Sequence, residues 1–281
     1  DPAFVYMVGR GTSDHAGVFA RYLIEVELGV VVAAAAPSVA SLFSRQLKLN
    51  KALVLLISQS GRSEDLLAQG RAAKQSGALV VALVNDISSP LAALADYAIP
   101  LLAGPEKAVA ATKSYLCTLS ALLNLVAHWK QDQLLLDALD TLPAALQQVL
   151  EQPAQLHAEQ FSALRHCVVL GRAFGYAISR EIALKIKEVC GIQAEAFSSA
   201  EFLHGPVTLV KNQFAIVDVT VEDESLTVHR AQIADVTARG ATVVSLHHNG
   251  ITAAARVLPL AILTKMVLTT CYMAMAKEWL S

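Results

Sequence analysis

The sequence is short of charge. Asp, Glu, Lys and Arg make up 16% of its 281 residues, against 54% hydrophobic. This balance excludes a disordered chain, which lacks the apolar material to offset the entropy of ordering. Basic excess is missing too: the formal net charge is -2, and no Lys/Arg cluster is interleaved with aromatics, so nucleic acid is not expected as a partner. The four cysteines, Cys117, Cys167, Cys190 and Cys271, show no CxxC spacing. They read as reduced packing residues of a cytoplasmic protein. A long hydrophobic run is also lacking. The most apolar helical stretch, Tyr115 to Ala127, falls short of the roughly 20 residues a bilayer span needs, and no basic-then-apolar leader opens the chain. A soluble protein without a membrane partner is expected.

What is present is a regular alternation of short β-branched runs with helical patterns, the signature of βαβ units and parallel sheets. The candidate strands of the first half are "FVYMVG", "VVVAAAA", "ALVLLIS", "ALVVALV" and "YAIPLL". Those of the second are "CVVLGR", "IQAEAF", "FAIVDV", "TVVSLHH" and a weak "RVLPL". The expected fold class is therefore α/β, with two domains that each hold a five-stranded parallel sheet flanked by helices. "VYMVGRGTS" and "CVVLGRAFG" share a strand-Gly-Arg opening half a chain apart, which points to internal duplication. Between the halves lies a polar, helix-forming stretch broken at Pro143 and Pro153. The expected boundaries are residues 1–135 for the first domain, 136–160 for a helical connector and 161–281 for the second domain.

In open parallel sheets, ligands bind beyond the carboxyl ends of the strands, where the next helix presents free N–H groups. After the third strand comes "SQSGRSED". Ser58, Ser60 and Ser63 offer hydroxyls, Gln59 an amide, and Gly61 a backbone free to approach closely, a set suited to a phosphate dianion. The plainer alternative is a helix cap at Ser60 or Ser63, with Glu64 and Asp65 in the first turn. The first strand ends in "GRGTSDHAG", with Thr12 and Ser13, and the fifth is followed by "AGPEKAVAATKSY", with Thr112 and Lys113. Three polar turns on one sheet edge make a pocket. None is GxGxxG, so a dinucleotide is not indicated.

In the second half, "SREIALKIKEVCG" places Glu181, Lys185 and Glu188 on one helix face, with Gly191 a natural terminator. The bland reading is a solvated face carrying an i,i+4 pair. Then "AEAFSSAEFLHGP" gathers Glu195, Ser198, Ser199, Glu201 and His204 before a Gly-Pro stop, where a histidine near carboxylates suits acid-base work.

Taken in order, "GTS", "SQSGRSED", "AVAATKSY", "EIALKIKE" and "AEAFSSAEFLHGP" resemble the motifs of the sugar isomerase (SIS) family. The likeness is to its tandem-domain form, the isomerase part of glucosamine-6-phosphate synthase, and it covers nearly the whole chain. It implies two flavodoxin-like, doubly wound domains and no cofactor or metal. Ser58, Gln59, Ser60 and Ser63 would surround a phosphate, with Thr12, Ser13 and Val109 near the sugar. Glu188 would move a proton between C1 and C2, with Lys185 beside it, and His204 from a neighbouring subunit would assist ring opening, which implies a homodimer with shared active sites. Without a cysteine-initiated glutaminase domain before the first strand, the resemblance is expected to extend to free-standing SIS-type aminosugar-phosphate deaminases. The expected reaction is glucosamine 6-phosphate to fructose 6-phosphate plus ammonia, with deglycase, aldose-ketose isomerase and non-catalytic sensor as alternatives. Two departures stand out: Ala111 replaces a serine of the synthase pattern, and the family's C-terminal lysine tail is not visible after "AKEWLS". In the second half, "TVEDESLTVHR" puts Glu222, Asp223 and Glu224 where the first has Ser and Gln, so one phosphate site per chain is expected, completed by residues from the second domain.

Overall fold

The apolar runs at the centre of each sheet become strands buried from both sides. The computed structural model describes residues 1–107, 110–153, 155–157, 160, 164–211, 214–248 and 256–264, and divides into two units, Asp1–Asp132 and Gln133–Ser281. In the first unit, β1 (Phe4–Val8), β2 (Val32–Ala34), β3 (Ala52–Ser58), β4 (Leu79–Val84) and β5 (Tyr97–Pro100) are all parallel, in the order β2-β1-β3-β4-β5. Every residue of the central β3 is buried, which is why "ALVLLIS" is apolar almost throughout rather than alternating. α1 (Thr12–Leu28) buries Ala16, Phe19, Ala20, Leu23 and Ile24, an i, i+3, i+4 stripe. α2 (Ser38–Ser41) is a single turn. α3 (Glu64–Gln75) and α4 (Pro90–Leu94) supply Leu66, Leu67 and Leu91 to the core around Val54, Leu56 and Val80. α5 (Lys113–Lys130) packs against α1.

The second unit opens with α6 (Gln133–Glu151) and repeats the plan. Its parallel strands are β6 (His166–Gly171), β7 (Gln193–Ser198), β8 (Phe214–Val219) and β9 (Ala241–Leu246), in the order β7-β6-β8-β9. α7 (Phe174–Cys190), α8 (Ser199–His204), a 3-10 turn at Pro206–Leu209 and α9 (Leu226–Ala238) connect them. The duplication extends to backbone detail. A Cβ on Gly9 would stand 2.7 Å from the Ser13 carbonyl, and one on Gly171 would strike Gly175 in the same way. Both helices are entered through a positive-φ residue, Gly11 (φ 52°, ψ -126°) and Ala173 (φ 46°, ψ -117°). That conformation is easy for glycine and costs an alanine about 1–3 kcal/mol.

Two sequence expectations fail here. "RVLPL" is not a strand: residues 258–264 are helical, and among the described residues the second sheet has four strands. Pro259 falls in the first helical turn, where a missing N–H breaks no intrahelical bond. Nor does Pro143 break the polar stretch, since α6 runs through it. Its buried residues Leu135, Leu142 and Val149 recur every seven positions, and Val149 packs on Ala261. Burying that stripe outweighs one lost backbone bond.

Candidate active site

Because all five strands of the first sheet are parallel, the turns after β1, β3 and β5 lie along one edge. In the β3–α3 turn, Ser58 Oγ accepts the Gly61 N–H (3.0 Å) and Ser60 Oγ accepts the Arg62 N–H (3.4 Å). Gly61 has φ 63°, and a side chain there would collide with Ser89. Ser63 occupies the N-cap of α3, but its hydroxyl makes no capping bond. The cap reading is thus met in position and in the acidic first turn, while the Ser63 hydroxyl is not used for capping. The acidic residues beside it are already paired: Glu64 accepts from Arg71 (2.6 Å), and Asp65 pairs with Arg10 of the β1–α1 turn, tying the first two turns together. Arg62 reaches Asp86 (2.8 Å). The Ser88 hydroxyl and then Arg62 hold the Asp86 carboxyl below the usual carboxylate range.

Thr12 and Ser13 form the first turn of α1, and the Ser13 N–H donates to the Arg10 carbonyl at 3.0 Å. Gln59 is half-buried and Ser60 exposed. Val109 lies outside the described residues. In the third turn, one Glu106 carboxylate oxygen accepts the N–H groups of Thr112 (3.3 Å) and Ser114 (3.0 Å), and Lys113 Nζ donates to the Pro105 carbonyl (2.9 Å). Glu106 thus organises this turn, a role the spacing of "AGPEKAVAATKSY" did not disclose.

In the second unit the solvated-face reading of α7 is overturned. Glu181 and Lys185 are only 2% and 4% exposed. Lys185 Nζ lies 3.0 Å from Glu181 Oε1 and 2.9 Å from Glu188 Oε2. The buried Glu181 carboxylate needs that ammonium, since an unpaired buried charge is severely penalised. Glu188, its side chain 39% exposed, is the open end of the chain of charges. It has a carboxylate fixed by one oxygen and presented at the surface of a rigid helix. Gly191 ends α7 in the left-handed conformation, as its sequence position suggests.

The "AEAFSSAEFLHGP" cluster disperses. Ser199 turns inward to Gln232 (2.6 Å) and His229 (2.9 Å), and Ser198 accepts from Arg172 (3.1 Å). Glu195, Glu201 and His204 are exposed. Among the described residues, no hydrogen bond joins His204 to Glu188. Sequence reasoning missed a buried network instead: His229 Nε2 lies 2.7 Å from Asp218 Oδ1, while Thr220 and Ser245 donate to Asp218 Oδ2 at 2.9 and 2.8 Å. An aspartate inside the apolar run "FAIVDV" was the available signal.

The acidic turn after β8 is largely paired, although Asp223 Oδ2 is buried without a hydrogen-bond partner. Arg256 grips Glu224 with two 2.8 Å bonds and pulls its carboxyl down to about 2. Asp223 accepts the Ser225 N–H and hydroxyl, and Glu222 faces His248 at 3.2 Å. This turn offers a phosphate no donors of the kind found after β3.

Comparison with known proteins fits this arrangement. The SIS domain family matches residues 4–128 and 160–277. The isomerizing glutamine–fructose-6-phosphate aminotransferase of Thermotoga maritima is 31% identical over 256 residues, 88% of this chain and 42% of that protein. The chain thus spans less than half the length of such curated relatives. A candidate phosphosugar isomerase from Silicibacter pomeroyi, of known structure, has a TM-score of 0.92 at 36% identity, over 99% of this chain and 88% of that one. The C-terminal domain of glucosamine-fructose-6-phosphate aminotransferase from Francisella tularensis has a TM-score of 0.83 at 27% identity, over 99% and 86%. With each matched segment built on one of the two parallel sheets, the chain belongs to the SIS domain family.

Proposed function

We propose that the protein is a phosphosugar deaminase/isomerase, converting glucosamine 6-phosphate and water to fructose 6-phosphate and ammonia. The observation that carries this reading is the Glu181–Lys185–Glu188 array, which fixes one carboxylate on a rigid helix with an exposed oxygen. In the proposed reaction His204 assists ring opening. Glu188 then takes the C2 proton of the open-chain aminoaldose and returns it to C1, and the resulting C2 imine adds water and expels ammonia. Lys185 is almost wholly buried between two carboxylates, so its role is to position Glu188 rather than to meet the sugar. The phosphate is bound by Ser58, Gln59, Ser60 and Ser63, with Thr12, Ser13 and Val109 near the sugar. The protein acts in the cytoplasm as a homodimer whose partner chain supplies His204. The names of the relatives support phosphosugars as the substrate class.

The test is an assay of ammonia release and ketose formation across phosphorylated aminosugars, fructosamines and plain aldoses. Ammonia and fructose 6-phosphate in equal amounts from glucosamine 6-phosphate support the proposal. Turnover of fructosamine 6-phosphate alone indicates a deglycase, and of plain aldose phosphates alone an isomerase. Tight binding without turnover of any member indicates a sensor.

A further inference from the structure

The phosphate turn does not hold its shape by itself. The Gln59 carbonyl accepts the Asn85 N–H (3.2 Å), and the Gly61 carbonyl accepts the Leu91 N–H (3.1 Å). Asn85 follows the last residue of β4, and its side chain faces the opposite neighbour. Its Oδ1 accepts the Ala103 N–H (2.9 Å), and its Nδ2 donates to the Gly104 carbonyl (2.8 Å). The amide acts as one more backbone unit, continuing the β4–β5 ladder beyond the Leu101 N–H to Val84 carbonyl bond. Only a carboxamide of this length supplies a donor and an acceptor in that spacing. The segment it grips is unusual: Leu102 (φ 55°) and Gly104 (φ 68°) both have left-handed backbone. Leu102 has 84% exposure and no packing to enforce that conformation. A left-handed leucine persists only where surrounding bonds over-determine it.

We infer that Asn85 is a positioning residue that couples the phosphate turn after β3 to the turn after β5, setting both for the sugar phosphate. The inference rests on the phosphate reading given above. Asn85 need not touch the ligand. Its side chain anchors the β5 turn, and that anchorage fixes the backbone N–H on which the Gln59 carbonyl rests.

The test measures Kd for glucosamine 6-phosphate and for inorganic phosphate on the full chain, together with kcat and amide exchange. Asn85→Ala should weaken both ligands roughly tenfold, the scale of losing a well-placed hydrogen bond, with kcat within about threefold of wild type. Exchange should quicken at Ala103 and also across residues 59–62. A residue serving only its own turn would affect Ala103 alone, and that result overturns the coupling. Asn85→Asp guards against a folding defect: it keeps the Ala103 bond and loses the Gly104 donor until the acid protonates. Its Kd, taken relative to wild type at each pH, should recover on acidification. Unchanged affinity in both variants, with binding lost in Ser60→Ala/Ser63→Ala, overturns the inference and leaves the phosphate site standing. If the double serine variant also binds normally, the phosphate reading itself fails.

Discussion

Lys185 is held between two carboxylates of its own helix, 3.0 Å from Glu181 and 2.9 Å from Glu188. The first contact is buried on both sides and the second opens to solvent, so the two halves of this array have different consequences when cut. Replacing Lys185 by Met takes the ammonium away from the buried Glu181 carboxylate, and unfolding should become easier by roughly 3–5 kcal/mol. Adding Glu181→Met removes that charge and should restore most of the loss. Chemical denaturation of the single and double variants checks this, and equal instability in both would show that the pair does not act as a unit.

Glu188→Gln keeps size and hydrogen bonding and removes the basic oxygen. Its Kd for glucosamine 6-phosphate should stay near wild type while kcat falls about 100-fold or more, the scale of general-base loss. Thermal stability should barely change, because the side chain is partly exposed and the buried Glu181–Lys185 contact remains. A Gln variant with wild-type kcat would move the chemistry elsewhere, with Glu201 next to be tested.

The double variant Ser60→Ala/Ser63→Ala separates binding from folding in the first unit. Ser60 accepts only a long 3.4 Å bond and Ser63 makes no cap bond, so stability should change by less than about 1 kcal/mol. KM for phosphosugars should rise at least tenfold if both hydroxyls donate to the phosphate, since charge-assisted bonds are about twice as strong as neutral ones. Steady-state kinetics beside a thermal melt decide the matter.

The strands and polar turns were legible because a parallel sheet writes itself as apolar runs ending in small polar residues, and β3 with "SQSGRSED" shows both. The α7 array was legible as a spacing and misleading as an environment. An i,i+4 Glu-Lys pair has the same sequence pattern on a solvated face or beneath a covering element, and only the fold tells which. "RVLPL" failed for a related reason. Five apolar-leaning residues fit a strand or the first turn of a helix, and proline is acceptable at the start of either. Asn85 and Glu106 were illegible because each acts through partners at positions that no local pattern marks, and the aspartate in "FAIVDV" signalled a buried polar group without marking His229 as its partner.

Glu224 gives the second unit an acid-sensitive contact. Its carboxyl, ordinarily near 4.5, is lowered to about 2, chiefly by its hydrogen bonds to Arg256. A carboxyl depressed in the folded state contributes stability that is complete above its unfolded value and lost as pH falls through the folded one. The side chain is 78% exposed, so solvent screening cuts the benefit well below what the shift alone suggests. Wild type should exceed Glu224→Gln by up to about 1 kcal/mol at pH 7, and the gap should close between pH 4.5 and about 2. A gap that is constant with pH would assign the difference to packing of Arg256 on Phe174 instead.

His204 ends the short helix α8 as an exposed side chain, and among the described residues nothing bonds it to Glu188. The shared-site proposal makes a sharp demand of this arrangement. Glu188→Gln and His204→Ala homodimers should each be at least about 100-fold impaired, since each site then lacks either base or ring-opening group. In a mixed dimer, symmetry places both lesions in one site and leaves the other intact. Random mixing makes about half the dimers mixed, each with one working site, so coexpression should restore about a quarter of wild-type activity. Differently tagged chains allow the mixed dimer to be purified and assayed alone, where about half of wild-type activity is expected. A purified mixed dimer no more active than its parents would show that each chain uses its own histidine, or none, and a fully active monomer in light scattering would exclude the shared site outright.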